Sequence, residues 1–174
     1  HPTPPPPPRS KCDGRSDVCP SALTSWGGVE YQSDPVIVSN ALTDLSVPIT
    51  IFERTDNFKV LSYNQVHLIF DLSSPNMIQV TELFIVTNPG KQAVVVASDG
   101  TSIPFIQIPK NASSLQYQLS QGSTQLLNAT GGFAMVPGAG KQYGFIATYS
   151  MPYSNTLKFD QPFSMPVSSL TVFV

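Results

Sequence analysis

Charged residues are scarce in this chain. Lysine, arginine, aspartate and glutamate make up 11% of its 174 residues, whereas an ordinary soluble domain carries about 25%. The polar surface must therefore consist mainly of serine, threonine, asparagine and glutamine, which leaves few groups for acid–base chemistry. Such a surface suits a protein that is glycosylated, packed against its own copies, or built into an extracellular assembly. The net charge of −2 and the nine scattered basic residues exclude the electrostatic footprint of a nucleic-acid-binding protein.

Long apolar runs are also missing. No stretch approaches the roughly 20 apolar residues that a membrane-spanning helix needs, so we expect no membrane span within this chain. The opening residues His-Pro-Thr-Pro lack the basic and apolar regions of a signal peptide. Together with the apolar end Val172-Phe173-Val174, this favours a mature chain or a piece of a longer protein, and we expect a fragment.

Cysteine is limited to Cys12 and Cys19. Two thiols are too few for a structural zinc site, which uses four nitrogen or sulfur ligands. The spacer contains Asp-Gly, which turns easily, so we expect a disulfide that closes a small loop and stabilises by roughly 2–3 kcal/mol. A disulfide predicts an oxidising compartment outside the cytoplasmic membrane. The glycosylation triplets at Asn111 and Asn128, both expected in exposed loops, agree with an extracellular location.

Proline is concentrated at the start of the chain. Residues 1–9 predict a short polyproline II rod, which is either a spacer or a strap that docks on an aromatic groove of a neighbour. The disulfide loop and residues 21–28 follow, so we expect residues 1–28 to form an irregular rod and collar. We expect ordered β structure to begin near Val29 and residues 29–174 to form one domain.

A period of two in hydrophobicity runs through residues 29–174, and no stretch shows helical periodicity over three turns. Short alternating segments separated by proline, glycine and asparagine predict an all-β fold, namely an antiparallel Ig-like β-sandwich of about nine strands. The expected strands lie at 29–38, 47–54, 66–72, 79–87, 93–97, 114–119, 133–136, 142–149 and 169–174.

Motifs of catalysis are missing as well. The chain has neither a Gly-x-Ser-x-Gly elbow nor the glycine spacing of a phosphate-binding loop. Glu82 alternates onto an apolar face between Val80 and Phe84, where it is either a catalytic acid with a raised pKa or an inward charge paired with Arg54 or Lys59. We expect the ion pair, and hence a protein that is not an enzyme and holds neither a metal nor another cofactor.

Two binding functions stay open as alternatives. The amine and imidazole of His1, completed by His67, form a nitrogen set that copper favours. The densest aromatic region, Tyr149 and Tyr153 with Phe159, is either an exposed platform for carbohydrate or part of the core beside a proline corner, and we expect the core.

Several stretches resemble extracytoplasmic β-sandwich proteins of filamentous, Chloroflexus-like bacteria, which are described as carboxypeptidase-regulatory-like or Ig-like. The resemblance covers residues 29 to 174 and implies attachment to the cell envelope, with no peptidase activity and no zinc ligands. The stretches that carry it are 28–34 (GVEYQSD), 46–55 (SVPITIFERT), 65–71 (QVHLIFD) and 79–88 (QVTELFIVTN), with Pro137-Gly138 and Tyr149-Ser-Met-Pro-Tyr153.

These observations predict a non-catalytic structural or adhesive module of the cell surface, such as a subunit of a filament, sheath or larger envelope assembly. Its partner is a copy of itself or another envelope protein, paired through open sheet edges. Prolines cannot join a sheet as a regular strand, whereas residues 170–174 can, and they are too apolar to be left exposed. The residues expected to contact a partner are Pro4, Pro5, Pro6, Pro7, Pro8, Leu170, Val172 and Val174.

Overall fold

The computed structural model describes residues 9–10, 18–19, 21–37, 46–154 and 156–174. These residues form an all-β fold with a single short 3₁₀ turn at Phe58–Val60, and they include no helix long and apolar enough to cross a membrane. The strands, in chain order, are β1 (Arg9–Ser10), β2 (Val18–Cys19), β3 (Ala22–Trp26), β4 (Val29–Gln32), β5 (Val36–Ile37), β6 (Arg54–Thr55), β7 (Ser62–Asp71), β8 (Met77–Thr87), β9 (Ala93–Ala97), β10 (Ser113–Leu119), β11 (Leu127–Ala129), β12 (Gly132–Met135), β13 (Tyr143–Pro152) and β14 (Leu170–Phe173).

Most strands belong to two sheets. The seven-stranded sheet has the order β1-β3-β4-β11-β12-β9-β6, and the five-stranded sheet has the order β10-β13-β8-β7-β14. Two pairings, β6 with β9 and β14 with β7, are parallel, and the others are antiparallel. The predicted all-β fold is therefore confirmed, but a purely antiparallel sandwich of nine strands is not. The reason is that β14 reaches β7 through a long connection, which permits parallel pairing, whereas a short hairpin imposes antiparallel pairing.

Strand structure begins before Val29 because β3 and β4 form a tight hairpin. Trp26 pairs with Val29, and the two residues between them, Gly27 and Gly28, have φ angles of 57° and 77°. Two consecutive positive φ angles are typical of a type I′ turn, whose twist matches that of the flanking strands. Residues 21–28, which we expected to be irregular, therefore contain a strand of the seven-stranded sheet.

The long central strands of the five-stranded sheet follow the predicted alternation. In β8 the side chains of Val80, Glu82, Phe84 and Val86 are buried on one face. The facing positions of β13 are buried as well, and so are those of β7 except Phe70, which is half-buried. Successive side chains of a strand point to opposite faces, so this pattern turns one face of the sheet toward the core.

The main core lies between the two sheets. Val94 and Val96 of β9 and Met135 of β12 belong to the same buried cluster as Phe84 of β8 and Phe145 of β13. The two sheets therefore pack face to face, and each supplies one side of this cluster. Burial of apolar surface, at about 25 cal/mol per Å², is the dominant stabilising term in such a layer.

The other face of the seven-stranded sheet is buried too. Ala93 and Val95 point away from the main core and form a second cluster. Ile49, Ile51 and Phe52 pack against this cluster. Burial on both faces explains why β9 consists of consecutive apolar residues rather than alternating ones.

The segment that covers this second face was expected to be a strand at 47–54. Residues 46–53 form no strand, and only the end of the segment joins the sheet: the Ala93 N–H donates a hydrogen bond of 2.8 Å to the Glu53 carbonyl, and Arg54–Thr55 pairs with β9. Pro48 has no N–H to donate to a ladder, and a segment that lies across a face has no strand edge to pair with. The Tyr31 hydroxyl holds it there by donating a hydrogen bond of 3.0 Å to the Phe52 carbonyl.

Candidate functional site

The edges of the seven-stranded sheet are short and charged. The sheet ends in β1 and β6, which have two residues each and contain Arg9 and Arg54. The Arg54 guanidinium forms an ion pair of 2.8 Å with Asp56. Short edge strands with charged residues are a common protection against pairing with another chain.

The five-stranded sheet has edges of the opposite kind. It ends in β10 and β14, neither of which contains a charged residue or a proline. Leu119 of β10 is 56% exposed, and Leu170, Val172 and Phe173 of β14 are 48–52% exposed. Within the described ranges no strand pairs with the outer side of either edge. Both edges therefore offer unpaired main-chain groups beside apolar side chains, as strands that accept another chain do.

The outer face of the five-stranded sheet adds uncharged surface to these edges. Along β7, β8 and β13 the only charged outward residue is Asp71, at the end of β7. An uncharged face offers little electrostatic resistance to packing against another molecule. The outward residues include Gln65, His67 and Ile69 of β7, Gln79, Thr81, Leu83 and Ile85 of β8, and Ile146, Thr148 and Ser150 of β13.

Three of the residues predicted to contact a partner lie at one of these edges. Leu170 and Val172 belong to β14, and Val174 follows it with 90% of its surface exposed. The strand joins a sheet, as expected, and leaves its other side open. Its contact with a partner stays a prediction. The remaining predicted residues, Pro4, Pro5, Pro6, Pro7 and Pro8, lie outside the described residues.

Sequence reasoning missed the opposite edge. The segment at 114–119 was predicted to be a strand, but not an interaction site. Its signal is the uncharged alternation Leu115-Gln-Tyr117-Gln-Leu119 without proline. A strand becomes an edge through the topology of the whole sheet, however, which this local pattern does not contain.

Glu82 lies in the middle of β8 with no exposed surface. Its Oε1 accepts a hydrogen bond of 2.5 Å from the Tyr149 hydroxyl, while its Oε2 has no partner among the described residues. Burial raises the pKa of Glu82 to about 7, although the hydrogen bond from Tyr149 opposes this rise. The predicted ion pair with Arg54 or Lys59 is wrong, because Glu82 faces the interior and Arg54 pairs with Asp56.

A carboxyl group with a pKa near neutrality is suited to general acid–base catalysis only if substrate reaches it. Glu82 is enclosed by its own sheet, with Ala147 and Leu68 opposite it on the two neighbouring strands. Burial, followed by the hydrogen bond to Glu82, also raises the pKa of Tyr149, so the phenol stays protonated and donates. This geometry supports a role in the core.

Two further tyrosines connect parts of the fold. The Tyr143 hydroxyl donates a hydrogen bond of 2.8 Å to the Val136 carbonyl, and the Tyr63 hydroxyl donates one to the Phe105 carbonyl. Burial raises the pKa of each of these tyrosines to about 12. Both phenols are therefore protonated donors at neutral pH. Their hydrogen bonds hold neighbouring segments against the five-stranded sheet.

The copper-binding alternative depended on His1 and His67. His1 lies outside the described residues. The ring of His67 packs edge-on against Phe173, with 5.8 Å between the ring centroids. No group of three histidine, cysteine, aspartate or glutamate residues that could hold a metal ion occurs in the described part of the chain.

The carbohydrate alternative depended on Tyr149, Tyr153 and Phe159. Tyr149 has no exposed surface, and Phe159 packs edge-on against Phe70 with 4.9 Å between the ring centroids. Tyr153 is half-buried against the same cluster. Tyr149 therefore belongs to the core, as expected, while Tyr153 and Phe159 pack against it and keep part of their surface exposed.

Both glycosylation triplets have an exposed asparagine. Asn111 lies in a turn before β10, as expected. Asn128 lies within β11 rather than in a loop, and its Nδ2 donates a hydrogen bond of 3.2 Å to Oε2 of Glu30.

A groove of about 410 Å³ lies between two turns at one end of the fold. Residues 87–90 form one side and residues 138–142 form the other. Lys141 is the charged residue of its lining, and neither a carboxylate nor an imidazole accompanies it. The groove therefore lacks the paired groups that acid–base chemistry uses.

No protein-family model matches the chain, and no curated protein matches it in sequence. The resemblance to envelope proteins of filamentous bacteria therefore stays a hypothesis.

Proposed function

We propose that this protein is a non-catalytic structural or adhesive module of the cell surface, which associates through the open edges of its five-stranded sheet. The partner is another copy of the chain or a second envelope protein. One observation carries the proposal: the seven-stranded sheet ends in short strands with arginine, whereas the five-stranded sheet ends in longer strands without charge. The same molecule protects one sheet against pairing and leaves the other unprotected.

The composition supports this proposal. Monomeric proteins usually blunt their edge strands with lysine, proline or bulges, because an open apolar edge pairs with other chains. Here an irregularity near Ser113 interrupts the start of β10, but residues 116–119 pair regularly with β13. The net charge of only −2 leaves little electrostatic repulsion between copies.

We also propose an extracellular location and an Ig-like fold family for the module. The exposed Asn111 and Asn128 support the location, as does the predicted disulfide between Cys12 and Cys19, which lies outside the described side chains. Alkylation of protein from its native source without reductant, followed by mass analysis, should show both thiols blocked. Free thiols would contradict the proposed compartment.

Sedimentation velocity over a series of concentrations, with electron microscopy of the same samples, tests the association. We expect large assemblies that grow with concentration. The double variant Leu119→Lys with Val172→Lys should remain a monomer, because each lysine places a charge on one open edge. Its matched control is Ser74→Lys with Ser102→Lys in exposed loops, which changes the net charge from −2 to 0 in the same way. If the wild-type chain neither assembles by itself nor binds native envelope material, the proposal is overturned.

A further inference from the structure

We infer that copies of this chain join head to tail, with β14 of one copy pairing antiparallel to β10 of the next, so that Val172 faces Tyr117 and Leu170 faces Leu119. This inference rests on the proposed function and specifies its partner as a second copy. Four features of the two edges agree with this register, and together they exclude a shift by one residue.

Strand direction is the first feature. β10 runs antiparallel to β13, β13 to β8, and β8 to β7, whereas β14 runs parallel to β7. β10 and β14 of one molecule therefore run in opposite directions. A second copy in the same orientation, placed beside β14, presents its β10 antiparallel to it, which is the slightly more stable arrangement.

The faces of the side chains are the second feature. Tyr117 and Leu119 lie opposite Ala147 and Phe145, on the inner face of the sheet. In β14, the residues Leu170 and Val172 lie opposite Val66 and Leu68, also on the inner face. A shift of one residue would turn one set to the wrong face.

The direction of the main-chain groups at β10 is the third feature. The Ser120 N–H donates a hydrogen bond of 2.9 Å to the Gly144 carbonyl. Main-chain groups alternate along a strand, so Gln116 and Gln118 also face β13. The N–H and C=O groups of Tyr117 and Leu119 point to the open side.

The direction of the main-chain groups at β14 is the fourth feature. The Val66 N–H donates a hydrogen bond of 2.9 Å to the Ser169 carbonyl, so Ser169 and Thr171 face β7. Leu170 and Val172 point their main-chain groups to the open side. In the inferred register, each of the pairs Tyr117–Val172 and Leu119–Leu170 exchanges two hydrogen bonds between outward groups.

This contact does not close on itself. It joins two different edges, and repetition of such a heterologous contact builds a filament unless the rotation between copies closes a ring. The sheet then continues from copy to copy in the hydrogen-bonding direction. Five strands per copy at about 4.8 Å each predict an axial repeat of about 24 Å.

A mixing experiment with singly blocked variants tests the pairing of edges. Leu119→Lys blocks β10 and leaves β14 free, whereas Val172→Lys does the reverse. Each variant alone should need at least about tenfold more protein to assemble than the wild type, while a 1:1 mixture should form dimers that do not grow. If Leu119→Lys alone forms dimers, β14 pairs with itself and the inference is wrong.

A disulfide cross-link tests the register. Gln118 and Thr171 form the opposed pair between the two hydrogen-bonded pairs, at an expected Cα separation of about 4.5 Å, which suits a disulfide. A mixture of Gln118→Cys and Thr171→Cys chains should oxidise to a covalent dimer. The control mixture of Gln116→Cys and Thr171→Cys keeps the face but shifts the register by two residues, and should react at least about tenfold more slowly.

These experiments distinguish a failure of the inferred register from a failure of the proposed structural role. If the wild-type chain assembles but the blocked variants assemble equally well, or the shifted cysteine pair reacts as fast as the matched one, this register is wrong while a structural role remains. If the wild-type chain binds native envelope material without joining other copies, the partner is a second protein and the inference is overturned.

Discussion

The Tyr149 hydroxyl donates a hydrogen bond of 2.5 Å to the buried carboxyl group of Glu82, across neighbouring strands of the five-stranded sheet. The acceptor is a group whose charged form is disfavoured by its surroundings, since burial raises the pKa of Glu82 to about 7 from an ordinary value of 4.5. The fold therefore contains a carboxylic acid that is largely protonated below neutral pH.

The first prediction concerns the dependence of stability on pH. An acid whose pKa is higher in the folded than in the unfolded state favours the folded state at low pH and destabilises it once the unfolded chain ionises. The free energy of unfolding should therefore fall between about pH 4.5 and 7, by about 3 kcal/mol, and this contribution should be constant above that range. Glu82→Gln should remove this slope in urea unfolding experiments at a series of pH values. Glu53→Gln, at an exposed position, is the control that should keep it.

The second prediction separates the hydrogen bond from burial. Tyr149→Phe leaves Glu82 buried without the donor that lowers its pKa, so the pKa of Glu82 should rise further. The loss of stability should be about 1.5–3 kcal/mol at pH 8, where the acceptor is charged, and about 0.5–1.5 kcal/mol at pH 5. Tyr153→Phe, whose hydroxyl has no hydrogen bond to this carboxyl group, should change stability equally at both pH values. Equal losses at both pH values in Tyr149→Phe would contradict the assignment.

The third prediction concerns Asn88, which is buried at the end of β8. Its Nδ2 donates hydrogen bonds of 2.8 Å and 2.9 Å to the carbonyls of Gln92 and Met135, and its Oδ1 accepts one of 3.0 Å from the Gly90 N–H. Asn88→Ala should lower the free energy of unfolding by about 2–3 kcal/mol, because buried main-chain groups lose their partners. Asn111→Ala, in an exposed turn, should cost less than about 0.5 kcal/mol. Similar losses in the two variants would show that the hydrogen bonds of the Asn88 side chain do not stabilise the fold.

The fourth prediction concerns close approach of two backbones at Gly132. A Cβ atom there would lie 2.0 Å from the Val96 carbonyl oxygen and 2.9 Å from the Ser98 nitrogen. Since both are main-chain atoms of the adjacent strand region, Gly132→Ala should cost more than about 3 kcal/mol. Gly100→Ala is the control, because a Cβ atom there meets no atom within 4 Å while φ is +86°. It should cost about 1–2 kcal/mol from backbone strain alone, and thermal unfolding distinguishes the two.

The buried faces of the long strands were predictable from the sequence, because the local alternation of apolar and polar residues indicates which side chains are buried. Val80, Phe84 and Val86 are buried as expected. The same alternation placed Glu82 correctly on the inner face. It did not identify Tyr149 as the partner, since that contact joins residues 67 positions apart and depends on the pairing of β8 with β13.

The edges show the limit of local patterns more clearly. Residues 47–53 have the composition of a strand, but Pro48 and their position over a buried face leave them without a ladder. The pattern of β10 is that of any half-buried strand, and its position at the end of the sheet follows from the order of strands far apart in the chain. Of the two candidate edges, only β14 could therefore be predicted from the sequence.

The length of β14 has a mechanical consequence for a filament of these copies. β8 pairs with β13 over ten residue pairs, whereas β14 pairs with β7 over four, and the inferred contact with the next copy has the same short length. Tension along the filament acts on every pair of neighbouring strands in series, so each pair carries the same load. The shortest pairs have the fewest hydrogen bonds and therefore carry the largest load per bond. A stretched filament should break on one side or the other of β14, while the long central strands of each copy stay intact.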